Sequence, residues 1–150
     1  MLFSQAKGHK VVSSSTAATV GKVSAFVVSP VTRSVVAVKL KKTESGDFLR
    51  WSDLAAFGAD AVTVSDASRI GDGGPDVQAL TGKAHAVLGK RVLTTGGDEL
   101  GKVDDVDFDA ATGTLNTLLL TTAVKGEAVD VEAARLLGIG SYAVVVREAP

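Results

Sequence analysis

The stretch Leu100-Gly101-Lys102-Val103-Asp104-Asp105-Val106-Asp107-Phe108-Asp109 decides how this chain reads. Val106 and Phe108 alternate with Asp105, Asp107 and Asp109, the period-2 pattern of a strand with one apolar and one wet face. Val103 is out of phase with them, and one extra residue near Asp104, a β-bulge, brings it back to the same core. The stretch has a relative upstream. Val20-Gly21-Lys22-Val23 matches Leu100-Gly101-Lys102-Val103, with Gly101 lying 80 residues after Gly21. Gly8-His9-Lys10-Val11-Val12 matches Gly89-Lys90-Arg91-Val92-Leu93 at a spacing of 81. Phe57-Gly58-Ala59-Asp60-Ala61-Val62-Thr63-Val64 matches Ile139-Gly140-Ser141-Tyr142-Ala143-Val144-Val145-Val146 at a spacing of 82. Three matches in one order, drifting by single residues, describe two copies of one unit with small differences at turns.

Between the copies, Ser68-Arg69-Ile70-Gly71-Asp72-Gly73-Gly74-Pro75-Asp76 is rich in residues that disfavour helix and strand. The units are therefore expected at 1–69 and 79–150, with a linker at 70–78. Each is near the size at which one core is marginal, so the two are expected to lean on one another or on a second chain.

Within copy two, strands are expected over 91–94, 100–109, 115–122 and 128–131. Turns fall at Thr95-Gly96-Gly97-Asp98-Glu99, at Ala110-Ala111-Thr112-Gly113 and at Lys125-Gly126. Copy one follows: Phe26 and Val28 take the places of Val106 and Phe108, a turn spans 30–33, and strands follow over 35–40 and 48–51. Ser52 reads as the N-cap of a helical turn over 53–57 that Gly58 stops, and 132–137 reads as its counterpart, ended by Gly138. A β-branched strand closes each unit. Five or six short strands in about 70 residues suggest a small closed or nearly closed barrel, since closure removes exposed sheet edges. The fold class is all-β: two tandem small barrels, each with one short helical turn.

Composition agrees with a globular chain: 150 residues, 45% apolar, 22% charged and only 5% aromatic, so Val, Leu and Ala must build the core. The absence of cysteine excludes a disulfide framework, a thiol nucleophile and Cys-ligated metal. No apolar run approaches the roughly 18–20 residues of a membrane span, and the N-terminus lacks a signal-peptide pattern; no membrane insertion and a cytoplasmic location are expected. The net charge of −1 conceals a split. Residues 1–75 hold 9 Lys/Arg against 6 Asp/Glu, and residues 76–150 hold 7 against 11. The basic first unit is therefore expected to pack against the acidic second, within the chain or across a homodimer.

The pattern resembles the PRC-barrel family. The motifs that carry the resemblance are Leu88-Gly89-Lys90-Arg91-Val92, the stretch 100–109, Thr112-Gly113 and the closing 139–146. Copy one keeps Val20-Gly21-Lys22-Val23 and 58–64 but departs elsewhere: His9-Lys10 follows Gly8, Ser29-Pro30 replaces the acidic strand end, and Arg33 stands where the turn glycine would be. Members of that family include the cytoplasmic domain of the photosynthetic reaction-centre H subunit and the C-terminal domain of a ribosome-maturation factor. The resemblance implies an interaction module and supplies no catalytic residues; fold alone does not assign a partner.

Candidate chemistry is sparse. Asp104, Asp105, Asp107 and Asp109 form the densest acidic group, but an EF-hand count from Asp105 puts Ala110 at the required glycine and Asn116 at the required glutamate. They read as the solvated face of a strand and a candidate partner surface. His9 and His85 are too isolated in sequence for a metal or Ser-His-Asp set and read as surface residues. Gly138-x-Gly140-x-x-Ala143 fits a dinucleotide fingerprint only formally, because it opens a strand where the motif must open a helix. Gly89-Lys90 lacks the remainder of a phosphate loop. Lys39, Lys41 and Lys42, with Arg50 and Trp51 nearby, could contact phosphates and stack a base, or simply protect an exposed strand edge. Trp51 itself reads as a core or inter-unit residue. Nothing pairs a nucleophile with a base, so neither an enzyme nor a cofactor is expected. The expected function is a non-catalytic scaffold or protein-interaction module whose partner is another protein; the alternative is an RNA- or ribosome-associated accessory factor.

Overall fold

The computed structural model describes residues 1–124 and 127–148; the turn expected at Lys125-Gly126 lies outside the described residues. The chain begins with one helical turn, α1 (Phe3–Ala6), followed by β1 (Lys10–Ser13), β2 (Thr19–Ser29), β3 (Ser34–Lys41), β4 (Phe48–Arg50), β5 (Leu54–Phe57) and β6 (Ala61–Val64). After α2 (Pro75–Gln78) the pattern repeats as β7 (Arg91–Thr94), β8 (Glu99–Phe108), β9 (Leu115–Thr121), β10 (Ala128–Glu132), β11 (Leu136–Ile139) and β12 (Val144–Val146). Two six-stranded sheets result, ordered β4-β3-β2-β1-β6-β5 and β10-β9-β8-β7-β12-β11. The first strand of each pairs in parallel with the last, and every other neighbour is antiparallel.

The repeat extends to the irregularities. Ladder register slips between Val23 and Ala25 and between Val103 and Asp105, and again between Val27 and Val28 and between Asp107 and Phe108. The first slip in the second sheet is the bulge expected near Asp104. It lets Val103, Val106 and Phe108 share one buried face. Each sheet must also roll up. Its edge strands, β4 and β5 or β10 and β11, are consecutive in the chain and joined by single 3-10 turns, Trp51–Asp53 and Ala133–Arg135. Three residues at about 2 Å rise each cannot span a flat sheet, so the sheet curls into a small barrel that brings its two edge strands near each other without a ladder between them. These turns replace the longer helices expected over 53–57 and 132–137. Residues 54–57 and 136–139 pair with the closing strands, because Leu54 and Leu136 gain a ladder there that a lone helical turn would not supply.

The two barrels share one core. Ser34 forms an antiparallel bridge with Thr114, the residue 80 positions later. On either side, Leu115 N–H donates to Arg33 O at 2.9 Å and Val35 N–H to Gly113 O at 2.8 Å. These bonds join equivalent positions reciprocally, so a pseudo-twofold axis passes between Ser34 and Thr114. Phe108 enters from the second barrel among Phe3, Phe26, Trp51 and Phe57 of the first, at centroid distances of 5.4, 5.6, 6.3 and 5.5 Å. Apolar contact and backbone hydrogen bonds therefore join the units, which corrects the expectation of charge-driven packing. The Lys and Arg excess of the first half lies mainly on solvent-facing positions. The one ion pair bridging the two units among the described residues is the N-terminal amine on Asp107, at 3.0 Å.

Residues 70–78 run along the first barrel. Ile70 is buried in the shared core, Gly71 bridges to Phe48 of β4, and α2 lays Val77 over Val27, Ala37 and Phe48. Gly46 permits this approach: its φ is +140° and an added Cβ would stand 2.6 Å from the backbone of Gly71.

Because Phe108 is fully buried at the junction, Phe108→Ala is expected to cost about 3–5 kcal/mol. Calorimetry should show one unfolding transition in the wild type and one, at lower temperature, in the variant. Two separate transitions in the wild type would contradict a shared core.

Candidate interaction surfaces

The four acidic residues do not act as one cluster. Asp107 receives the N-terminal amine of Met1, and Phe108 O accepts from the same amine at 2.9 Å. Asp105 accepts from the backbone N–H of Ser4 at 3.1 Å and from its hydroxyl. Asp104 accepts from the Thr121 hydroxyl, and Asp109 holds the following turn through Ala111 N–H at 2.8 Å. Two of the four carboxylates thus anchor the start of the chain to β8. Among the described residues no three His, Asp or Glu side chains gather at metal-binding distance.

The basic and aromatic candidates are also dispersed. Lys39 and Lys41 are exposed on β3, but β3 lies between β2 and β4, so they do not guard a sheet edge. Arg50 makes a two-pronged bond to Asp76, both contacts at 2.8 Å, and donates to Gly73 O at 2.7 Å. Trp51 stacks on Phe57 at 5.6 Å and covers Gly113, where an added Cβ would stand 2.9 Å from the indole. Its ring is an inter-unit contact, the place read for it in the sequence, and not a free platform. His9 departs from its expected surface position: its ring lies 6.0 Å from Phe57 and Nε2 is buried without a hydrogen-bond partner among the described residues. Its counterpart Lys90 instead reaches Gly140 O at 2.7 Å and Lys83 O at 2.8 Å, and burial pulls its pKa down.

A lysine row stands out on the first barrel. Lys10 pairs across the ladder with Lys22, and Lys22 with Lys41. Three like charges in register on adjacent strands repel one another, which leaves them available to an anion.

A concave feature lies where the units meet. A groove of about 390 Å³ is bounded by α1 and Lys7, by β2 from Ser24 to Val28, by 86–88, and by Asp104 and Asp105. The copies contribute matching parts. Gly8 N–H donates to Val23 O and Gly89 N–H to Val103 O, both at 2.8 Å, so the segments that precede these glycines form facing walls. Phe26, Val28, Val87 and Leu88 give the groove an apolar lining, and Leu88 is 47% exposed. Sequence reading quoted Leu88 only as part of a motif. Nothing local marks it, because the groove exists only once both copies are docked.

Against this geometry, a family model for the PRC-barrel domain matches residues 82–146. The second unit is a PRC-barrel domain. No curated protein matches the chain. The first unit repeats the PRC-barrel strand order with a different surface. Val27, Ala37 and Phe48 are apolar to receive α2, whereas their counterparts Asp107, Thr117 and Asp130 in the PRC-barrel domain are polar. Among the described residues no helix is long and apolar enough to cross a membrane.

The hydrogen bonds from Arg50 hold the Asp76 carboxyl down to about 2, against an ordinary 3.8. A carboxylate with a lowered folded pKa stabilises above the unfolded value and loses that contribution as pH falls through the folded one. The protection factors of the Gly71 and Phe48 amides, with intrinsic exchange divided out, should therefore fall between about pH 4 and pH 2. In Asp76→Asn the exchange should already be faster at neutral pH and lose the carboxylate-dependent change in that window. Identical pH profiles for the two proteins would refute the tie.

Proposed function

We propose that this chain is a non-catalytic protein-interaction module whose principal contact is the inter-unit groove. The supporting observation is the groove itself: an apolar trough within the size range of recognition pockets, built from both copies, with Asp104, Asp105 and Lys7 among its lining residues. An apolar side chain of a partner fits the trough, and a neighbouring lysine or arginine on that partner meets the two aspartates. Asp105 already serves Ser4, so Asp104 is the freer carboxylate.

A second reading, an RNA-associated accessory role, draws on the row Lys10, Lys22 and Lys41 together with Lys39. A polyanion laid across these strands would meet several charges at the spacing of the ladder, and binding would weaken steeply with salt. Trp51 contributes no stacking to that surface, and Arg50 is engaged by Asp76.

Cross-linked capture from cell extract separates the two readings. Under the first, Leu88→Asp is expected to release the retained protein while Lys39→Ala/Lys41→Ala retains it. Under the second, RNA is retained, the lysine variant releases it, and Leu88→Asp has no effect. Retention that neither variant alters would count against both surfaces.

A further inference from the structure

The two barrels present the same sheet edge and treat it differently. In the first, the outer side of β4 is taken: Phe48 N–H donates to Gly71 O at 2.9 Å and Gly71 N–H to Phe48 O at 3.0 Å, in antiparallel sense. Beside this pairing, Ile70 fills the core and Arg50 grips Asp76.

The equivalent strand is β10. Asp130 pairs with Leu119 as Phe48 pairs with Lys39, and Leu119 lies 80 residues after Lys39. Thr122 N–H donates to Glu127 O at 3.1 Å. Hydrogen-bonded pairs alternate along an antiparallel ladder, so Val129 and Val131 bond to β9. Ala128, Asp130 and Glu132 turn their N–H and C=O groups outward. Among the described residues nothing pairs with those groups.

We propose that the outer edge of β10 accepts, in antiparallel sense, an extended segment of a partner protein that alternates basic and apolar residues. The first barrel provides the backbone precedent, and the side chains set the chemistry. Asp130 and Glu132 are exposed on the outer face. Where Arg50 draws Asp76 to the first barrel, its counterpart Glu132 draws a cation. The opposite face carries Val129, which is 38% exposed, and the buried Val131. It therefore favours apolar residues at alternate positions. A second copy of β10 would set acid against acid, which costs stability when charges face each other across a ladder. This edge is distinct from the groove and depends on no part of the reading given for it.

The test uses the full chain and two short peptides, one alternating lysine with valine and one alternating glutamate with valine, followed by amide NMR. The lysine peptide is expected to shift and protect the Ala128, Asp130 and Glu132 amides, and the glutamate peptide to bind at least about tenfold more weakly. Asp130→Pro removes an outward donor and leaves the β9 ladder intact. It should abolish protection while the far-UV spectrum stays unchanged. Asp130→Lys/Glu132→Lys should reverse the preference between the peptides, which keeps the test decisive if the proline variant fails to fold. No binding, equal binding of both peptides, shifts confined to the groove, or concentration-dependent self-pairing at β10 without peptide would each overturn the proposal.

Discussion

The architecture depends on the seating of Phe108. Each copy is near the size at which one core is marginal, and the second copy supplies little aromatic mass: Phe108 is its single phenylalanine. That ring inserts among three phenylalanines and the tryptophan of the first copy, and it is fully buried. The reciprocal backbone bonds across Ser34 and Thr114 fix the angle at which it enters. Groove, amino terminus and turn contacts all follow from this arrangement. The groove needs both copies for its walls, and Met1 can reach Asp107 only because β8 runs into the shared core.

The pseudo-twofold axis is obeyed by the backbone and broken by the side chains. At one of its contacts a large residue meets a small one: Trp51 lies over Gly113, whose φ of +81° and lack of a Cβ are both used. At the equivalent contact the sizes are exchanged between the units. Arg33 occupies the glycine position, Ala133 occupies that of Trp51, and Arg33 Nε donates to Leu136 O at 2.7 Å. Arg33 adopts φ +53° to do so, a conformation that disfavours a residue with a Cβ. The departure of Arg33 from the turn glycine is therefore half of an exchange whose other half is Trp51.

The strand order, the repeat and the Asp104 bulge were legible because they are local: period-2 alternation and a fixed spacing between copies survive in one dimension. The helical turns after β4 and β10 were overdrawn, since Asp53-Leu54-Ala55-Ala56 carries helical propensity that the ladder with β6 overrides. Residues 70–78 read as a linker because glycine and proline disfavour regular structure. Those same glycines let the segment lie against β4, and the partner of Val77 is 29 residues earlier, at Phe48. The positions of His9 and Leu88 could not be read at all, because each is determined by a surface contributed from elsewhere in the fold. Charge misled for a related reason: a sum over half a chain says nothing of where the charges point, and Asp105 and Asp107 are engaged one by one by the first residues of the chain.

The differences between the copies are consequently more informative than their likeness. Val27, Ala37 and Phe48 make the outer face of the first barrel apolar, and that face is covered by its own chain. The same positions in the second are Asp107, Thr117 and Asp130. An apolar outer face left open would invite aggregation, so the cover and the apolar residues must change together. The second copy keeps a polar outer face and the turn glycine, whereas the first has exchanged them for the residues that hold α2 and Leu136. Specialisation of one copy for internal contacts leaves external recognition to surfaces the exchange did not consume: the groove that both copies build and the edge that only the first copy covers.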